Sequence, residues 1–295
     1  MANVIDEPRV VEAGRGLSWW GEGWRIFVSS FWTWIGIMIV YIIIVVLVSL
    51  VPFVGSFGQW LLTPVLMGGL MLGCRAIDRG EPLRVAHLFE GFQGAHFVPL
   101  MIIGAVNIAI TLVLTAIAVA GVAGSFSLIG MMQGGAMTDP MGAFDGMART
   151  FTGTGILLTL IALVIVAIFA MLNWFAPALV VLHGATAVQA MKLSFSSCLR
   201  NWVPFLVYGL IGIAVGSAAG LLMLGATLLF GASAMLGGGG GTGVMGAIVG
   251  LVVLFMIVTA IVALVVGPIV FGSTYGGYKD TLAVDDDALT NPAYH

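Results

Sequence analysis

Ile39-Val40-Tyr41-Ile42-Ile43-Ile44-Val45-Val46 is an unbroken apolar run inside a longer stretch, Ile26 to Cys74, that carries no Asp, Glu, Lys or Arg. A membrane-barrel strand would alternate apolar and polar positions, and this run does not. Lipid cannot satisfy backbone N–H and C=O groups, so a segment like this one in a bilayer has to be an α-helix. Composition supplies the lipid. The chain is 60% hydrophobic and 8% charged, with a mean hydropathy of +1.15, whereas soluble domains carry about a quarter charged residues. At 295 residues it has the length of two soluble domains but too little polar surface to coat them.

Working outward, further charge-free gaps run from Glu90 to Asp139, from Arg149 to Lys192 and from Arg200 to Lys279. Each holds one or two spans of roughly 20 apolar residues. Six hydrophobic segments result: Phe31–Val51, Phe57–Ile77, Phe97–Gly124, Gly153–Leu182, Val203–Gly231 and Val244–Tyr275. Pro52 to Ser56 reads as a tight turn joining the first two. The expected fold is an all-α membrane protein of about six transmembrane helices. The domain plan is a polar N-terminal segment 1–16, one six-span membrane domain 17–275 and an acidic, disordered tail 280–295 with Asp285, Asp286 and Asp287.

Lys and Arg set orientation. Arg9, Arg15, Arg25, Arg75, Arg79, Arg84, Lys192, Arg200 and Lys279 all fall on one side of a six-span chain, and Arg149 falls on the other. Both termini are therefore expected in the cytoplasm. Met1 to Gly16 lacks the basic region and short apolar core of a cleavable signal, so the first span is expected to act as an uncleaved insertion signal. Trp19, Trp20, Trp24, Trp32 and Trp34 would anchor its headgroup end.

A threefold pattern runs through the chain. An apolar face at helical spacing precedes each odd span: Leu17, Trp20, Trp24, Phe27 and Phe31; Val85, Leu88, Phe92 and His96; Val188, Met191, Phe195, Cys198 and Trp202. Charged or polar side chains, among them Arg25, Arg84 and Lys192, lie opposite, as in interfacial helices. A proline marks each even span, at Pro64, Pro177 and Pro268. The run from Pro64 through Gly68 and Gly73 to Arg75 matches, without a gap, the run from Pro268 through Gly272 and Gly277 to Lys279. Three helical-hairpin repeats follow, over about 17–80, 81–183 and 184–279, each led by a cytoplasmic amphipathic helix. Gly212, Gly216 and Gly220 are spaced for close helix packing within the monomer.

Reactive chemistry is sparse. The sequence has no His-Glu-x-x-His run, nucleophile elbow, phosphate loop or paired-cysteine zinc site. Cys74 and Cys198 make no disulfide scaffold, and a net charge of −3 gives no polybasic surface for nucleic acid. His87 and His96 with Glu81 and Glu90 read as surface residues of an amphipathic helix. The spans lack ionisable groups at their centres, which proton-coupled pumps need. Asn107 and Asn173 are the clearest buried polar residues, each about 15 Å from the cytoplasmic helix end, and are expected to hydrogen-bond to one another. The cytoplasmic rim is expected to carry Arg75, Asp78, Arg79 and Lys279. Thioethers in the stretch Met131 to Met147 favour soft Cu(I), but a flexible apolar loop accounts for them, so no metal or cofactor is expected.

The segment Thr63 to Pro82, with Gly68, Gly69, Gly73, Arg75, Asp78, Arg79 and Gly80, continues through His87-Leu88-Phe89-Glu90-Gly91-Phe92. With Ala13-Gly14-Arg15-Gly16 to Trp24, it resembles a family of predicted proteobacterial inner-membrane proteins to which no activity is assigned. The resemblance covers the first hundred residues and implies a bacterial inner membrane. The expected function is a non-enzymatic protein that organises membrane lipid or a protein partner in the membrane. The alternative is a passive transporter or exporter of a small or lipid-like molecule, and a membrane enzyme ranks third.

Overall fold

The computed structural model describes residues 8–51, 54–125, 153–236 and 241–282. No strand occurs among them. The helices are α1 (Arg15–Ser29), α2 (Phe31–Ser49), α3 (Val54–Asp78), the single turn α4 (His87–Glu90), α5 (Phe97–Ser125), α6 (Gly153–Asn173), α7 (Ala176–His183), α8 (Ala187–Arg200), α9 (Trp202–Leu236), α10 (Gly241–Ile261) and α11 (Gly267–Leu282). Six helical segments are long and apolar enough to cross a membrane: Phe31–Ser49, Phe57–Asp78, Gly94–Ile117, Ile156–His183, Trp202–Leu229 and Val249–Leu282. Val54 to Ser56 belong to α3 and not to the expected turn. At the other end Asp280, Thr281 and Leu282 belong to α11 and not to the tail. The stretch Met131 to Met147 and the residues beyond Leu282 lie outside the described residues.

The three prolines are accommodated differently. Proline removes one helical hydrogen bond and crowds the carbonyl four residues back. Pro64 stays inside a continuous α3, and Gly104 of α5 lies against the Trp60 carbonyl that Pro64 leaves unbonded. Pro177 breaks its span. α6 stops at Asn173, and Pro177 sits in the first turn of α7, where no N–H is needed. Pro268 follows a π-helical turn, Val262–Val266, whose wider winding takes up the misfit. The three prolines thus sit in three different local geometries.

The core lies at one end of the molecule, where the charged residues also gather; we call it the charged end. Ile26, Phe27, Trp34, Leu66, Leu70, Leu100, Phe175 and Leu179 are buried there. α3 is its centre, touching α2, α5, α7 and α11. α7 closes on left-handed Gly184 (φ 66°). α8 then opens on a capping box, in which Thr186 Oγ1 accepts from the Gln189 N–H and Gln189 Oε1 accepts from the Thr186 N–H.

Small residues decide how the lead-in elements dock. α1 buries Gly16, Trp19, Gly23, Ile26 and Phe27, while Leu17 and Trp24 are exposed. A Cβ on Gly23 would overlap the Ile269 carbonyl and press on the Ser273 amide of α11. Gly91, just after α4, fits in the same way on the Val65 carbonyl and Gly69 amide of α3. Ser194 of α8 donates to the Met171 carbonyl at 2.6 Å and accepts from the Phe175 N–H at 3.0 Å. α8 buries Ala187, Ala190, Met191, Ser194, Ser197 and Cys198, and Val188 is exposed. The expected apolar faces of α1 and α8 are thus rotated, because the small residues pack and many of the large ones face outward. The second lead-in stretch, Val85 to His96, is a helical turn followed by a 3-10 turn (Gly94–His96), not one helix.

Candidate functional site

At the charged end α1 meets α3 and α11 through ion pairs. Arg15 donates to Asp280 through Nε at 2.7 Å and Nη2 at 2.5 Å, and Trp19 Nε1 donates to the same carboxylate at 2.7 Å. Asp78 at the end of α3 accepts from Lys279 Nζ at 2.8 and 2.9 Å and from Arg25 Nη2 at 3.3 Å. Tyr275 donates to Asp78 Oδ2 at 3.4 Å. Glu22 accepts from Arg25 Nε at 2.9 Å and Nη2 at 2.7 Å. The Arg25 hydrogen bonds hold the Glu22 carboxyl below the usual carboxylate range. Of the expected rim residues, Asp78 and Lys279 are thus joined, and Arg79 turns the chain after α3, its N–H on the Arg75 carbonyl. His183 and Tyr278 hydrogen-bond beside them.

The glycines named in the gapless match, Gly68, Gly73, Gly272 and Gly277, all lie at close approaches. A Cβ on Gly68 would crowd Val181, one on Gly73 would crowd Leu83, one on Gly272 would meet Gly23, and one on Gly277 would touch Trp19 and Phe175. The asparagines are not brought together. Asn173 donates to its own Phe169 carbonyl at 2.9 Å, and buried Asn107 Oδ1 has no hydrogen-bond partner. A matching residue count from the helix end does not fix rotation about the helix axis, and the two side chains do not pair. His87 is buried and its Nδ1 accepts the Arg84 N–H at 3.0 Å, with Nε2 3.8 Å from Glu90. Burial pushes the Cys198 thiol up to about 12, and its Sγ contacts the Met171 carbonyl, so it stays a thiol.

The second feature is a gap. Neighbouring spans touch in the order α6, α5, α3, α2, then through the π-helical turn to α10 and α9. No extended contact joins α6 to α9 among the described residues. α6 is exposed on most of its circumference, including Leu157, Leu160, Leu163 and Val164. α9 likewise exposes Leu210, Ile213, Leu221 and Leu222. Gly216 and Gly220 have open space at their Cβ positions, so the expected packing of this stripe inside the monomer does not occur there, and Gly212 meets Trp20 alone. At the charged end the gap has an aromatic floor. Trp174 sets its edge on Phe205 and Tyr208, with ring centroids 5.6 Å apart in both cases. Trp20 stacks on Tyr208 at 5.1 Å and donates to its carbonyl. Trp19 and Phe175 also approach Phe205, at 5.2 and 5.8 Å. Gly16 lets α1 lie directly on the Pro204 backbone under this floor. The aromatic residues were legible in the sequence as interface anchors, but their convergence on Phe205 and Tyr208 was not.

Among the described residues, six apolar spans and a charge network gathered at one end define the class: a multi-pass α-helical integral membrane protein. The chain is 30% identical over 227 residues to a probable inner membrane protein of Burkholderia thailandensis, across 74% of this chain and 81% of the relative. It belongs to that family of inner-membrane proteins, and its place is the bacterial inner membrane. No family model matches the chain, and no solved structure matches it.

Proposed function

We propose that the protein is a non-enzymatic lipid-organising protein whose gap between α6 and α9 is a lateral groove for phospholipid acyl chains. The observation that carries this is the combination of two apolar, widely exposed helices that make no extended contact among the described residues and an aromatic cluster joining their charged ends. An acyl chain is as apolar as the walls and slides in from the bilayer without dehydrating a polar group. The glycine positions on α9 give it a shallow bed. The floor of Trp174, Phe205, Tyr208 and Trp20 weighs against an open conduit to the charged end, so passive transport ranks second.

In this reading the charged end is cytoplasmic, following the Lys and Arg distribution, and the chain is three repeats. Support for the repeat comes from the docking order. The lead-in element of the second unit (Gly91) rests on the proline span of the first, that of the third (Ser194) on the second, and that of the first (Gly23) on the third. Val65 and Gly69 under Gly91 align, in the gapless match, with Ile269 and Ser273 under Gly23. A cyclic order of this kind closes a ring of three units, and among the described residues the groove lies at the joint between units two and three.

The test is mass spectrometry of the intact protein released from mild detergent. The expected result is retained phospholipid, lost when Gly216→Trp and Gly220→Trp fill the bed. Equal retention by the variant, or retention of a protein partner without lipid, contradicts the proposal.

A further inference from the structure

The segment before α1, Pro8 to Glu12, has no regular secondary structure and is held by its backbone. The Arg9 N–H donates to the Thr281 carbonyl at 2.9 Å. Asn201 brackets the next residue: its Nδ2 donates to the Arg9 carbonyl at 2.9 Å, and its Oδ1 accepts the Val11 N–H at 2.8 Å. Arg200 Nη1 donates to the Pro8 carbonyl at 3.4 Å. Pro8 is buried, whereas the Val10 side chain, between the two bonds of Asn201, is 71% exposed. Asn201 itself is 1% exposed and anchored by a further bond from Nδ2 to the Ser197 carbonyl at 3.0 Å.

The notch has a physical origin in the fold. Thr281 lies in the last turn of α11, where carbonyls lack helical partners. Asn201 is the corner between α8 and α9. A carboxamide offers one acceptor and two donors, the complement of a peptide C=O and the N–H two residues on. Two helix ends and one buried asparagine thus form a short bed that pairs with main chain and ignores the central side chain.

We propose that this notch is a binding site for an extended peptide, occupied in cis by Pro8–Glu12, which straps the start of α9 to the end of α11. Its selectivity is for an extended backbone with an apolar residue at the Pro8 position. A chain lacking the strap takes such a peptide in trans.

The experiment is fluorescence anisotropy of a labelled peptide spanning Pro8 to Arg15, added to detergent-purified protein. The full-length chain is expected not to bind, because its own strap fills the site at high effective concentration. A variant lacking residues 1–12 is expected to bind. Adding Asn201→Ala to that variant weakens binding about tenfold through loss of two hydrogen bonds, and a peptide with Ser in place of Val10 binds as well as the parent. If the truncated chain does not fold, full-length Val11→Pro serves instead. Its strap lacks the N–H that Asn201 accepts, and it is expected to admit the labelled peptide. Equal binding by the unmodified full-length chain, equal binding with Asn201→Ala, or no binding by either opened variant overturns the proposal. Lipid retention in the groove is read by a different measurement, so the two readings fail separately.

Discussion

Gly23→Ala probes the docking that holds the first helix to the last. A methyl at position 23 would overlap the Ile269 carbonyl oxygen and press on the Ser273 amide and the Ile269 carbonyl carbon. These are backbone atoms of α11 and cannot rotate away. α1 and α11 would have to part by about 1 Å before that contact became ordinary, forfeiting dispersion along Trp19, Ile26 and Phe27. Overpacking of this kind costs about 1–3 kcal/mol, offset by up to about 1 kcal/mol from replacing a helical glycine. The net expectation is a loss of about 1–2 kcal/mol, or a fall of roughly 5 °C in the unfolding midpoint. Gly21→Ala is the internal reference. It lies on the same helix with nothing within 4 Å of its Cβ position, so helix propensity alone acts and the midpoint should hold or rise slightly. The assay is thermal unfolding in detergent followed by tryptophan fluorescence. If Gly23→Ala behaves like Gly21→Ala, the close approach of α1 and α11 is wrong, and the cyclic order of docking goes with it.

Other expectations follow from the same contacts. Asn107→Leu should be neutral or stabilising by about 1 kcal/mol, since it removes a buried acceptor that has no partner; a clear loss in the unfolding midpoint would mean the carboxamide is satisfied after all. Ser194→Ala should cost about 1–3 kcal/mol by leaving the Phe175 N–H and Met171 carbonyl without their bridge, and an unchanged midpoint contradicts this. The Glu22 carboxyl titrates below its unfolded value, so its contribution is full above that value and is lost as pH falls through the folded one; a midpoint measured from about pH 5 down to pH 3 should fall more in the wild type than in Glu22→Gln. With both termini inside, an impermeant thiol reagent on intact cells should label Asp139→Cys and not Arg79→Cys, on a background with Cys74 and Cys198 replaced; the reverse pattern inverts the topology.

The spans were legible because two signals agree, long apolar runs and clustered charges. The charge pairing of Asp78 with Lys279 was half legible, as two residues on one rim. The docking faces were read one step around the helix. Large apolar side chains such as Leu17, Trp24 and Val188 drew the eye, yet in a membrane protein these can face lipid. Gly16, Gly23, Ala187, Ala190 and Ser194, at spacings of three, four and seven, carry the packing because they let backbones touch. The Asn107–Asn173 pair failed for a related reason: residue counting gives depth but not rotation about the helix axis. The glycines of α9 misled in the opposite direction, since small-residue spacing permits close packing without requiring it. The groove was illegible because it is set by which spans do not meet.

The central claim is that lipid occupies the space between α6 and α9. Electron cryomicroscopy of the protein in nanodiscs of bacterial phospholipid tests it most directly. Elongated acyl-chain density is expected between the two helices, ending at Trp174, Phe205 and Tyr208. Helices α6 and α9 closed onto each other, or a water-filled path passing through that aromatic floor, would contradict it.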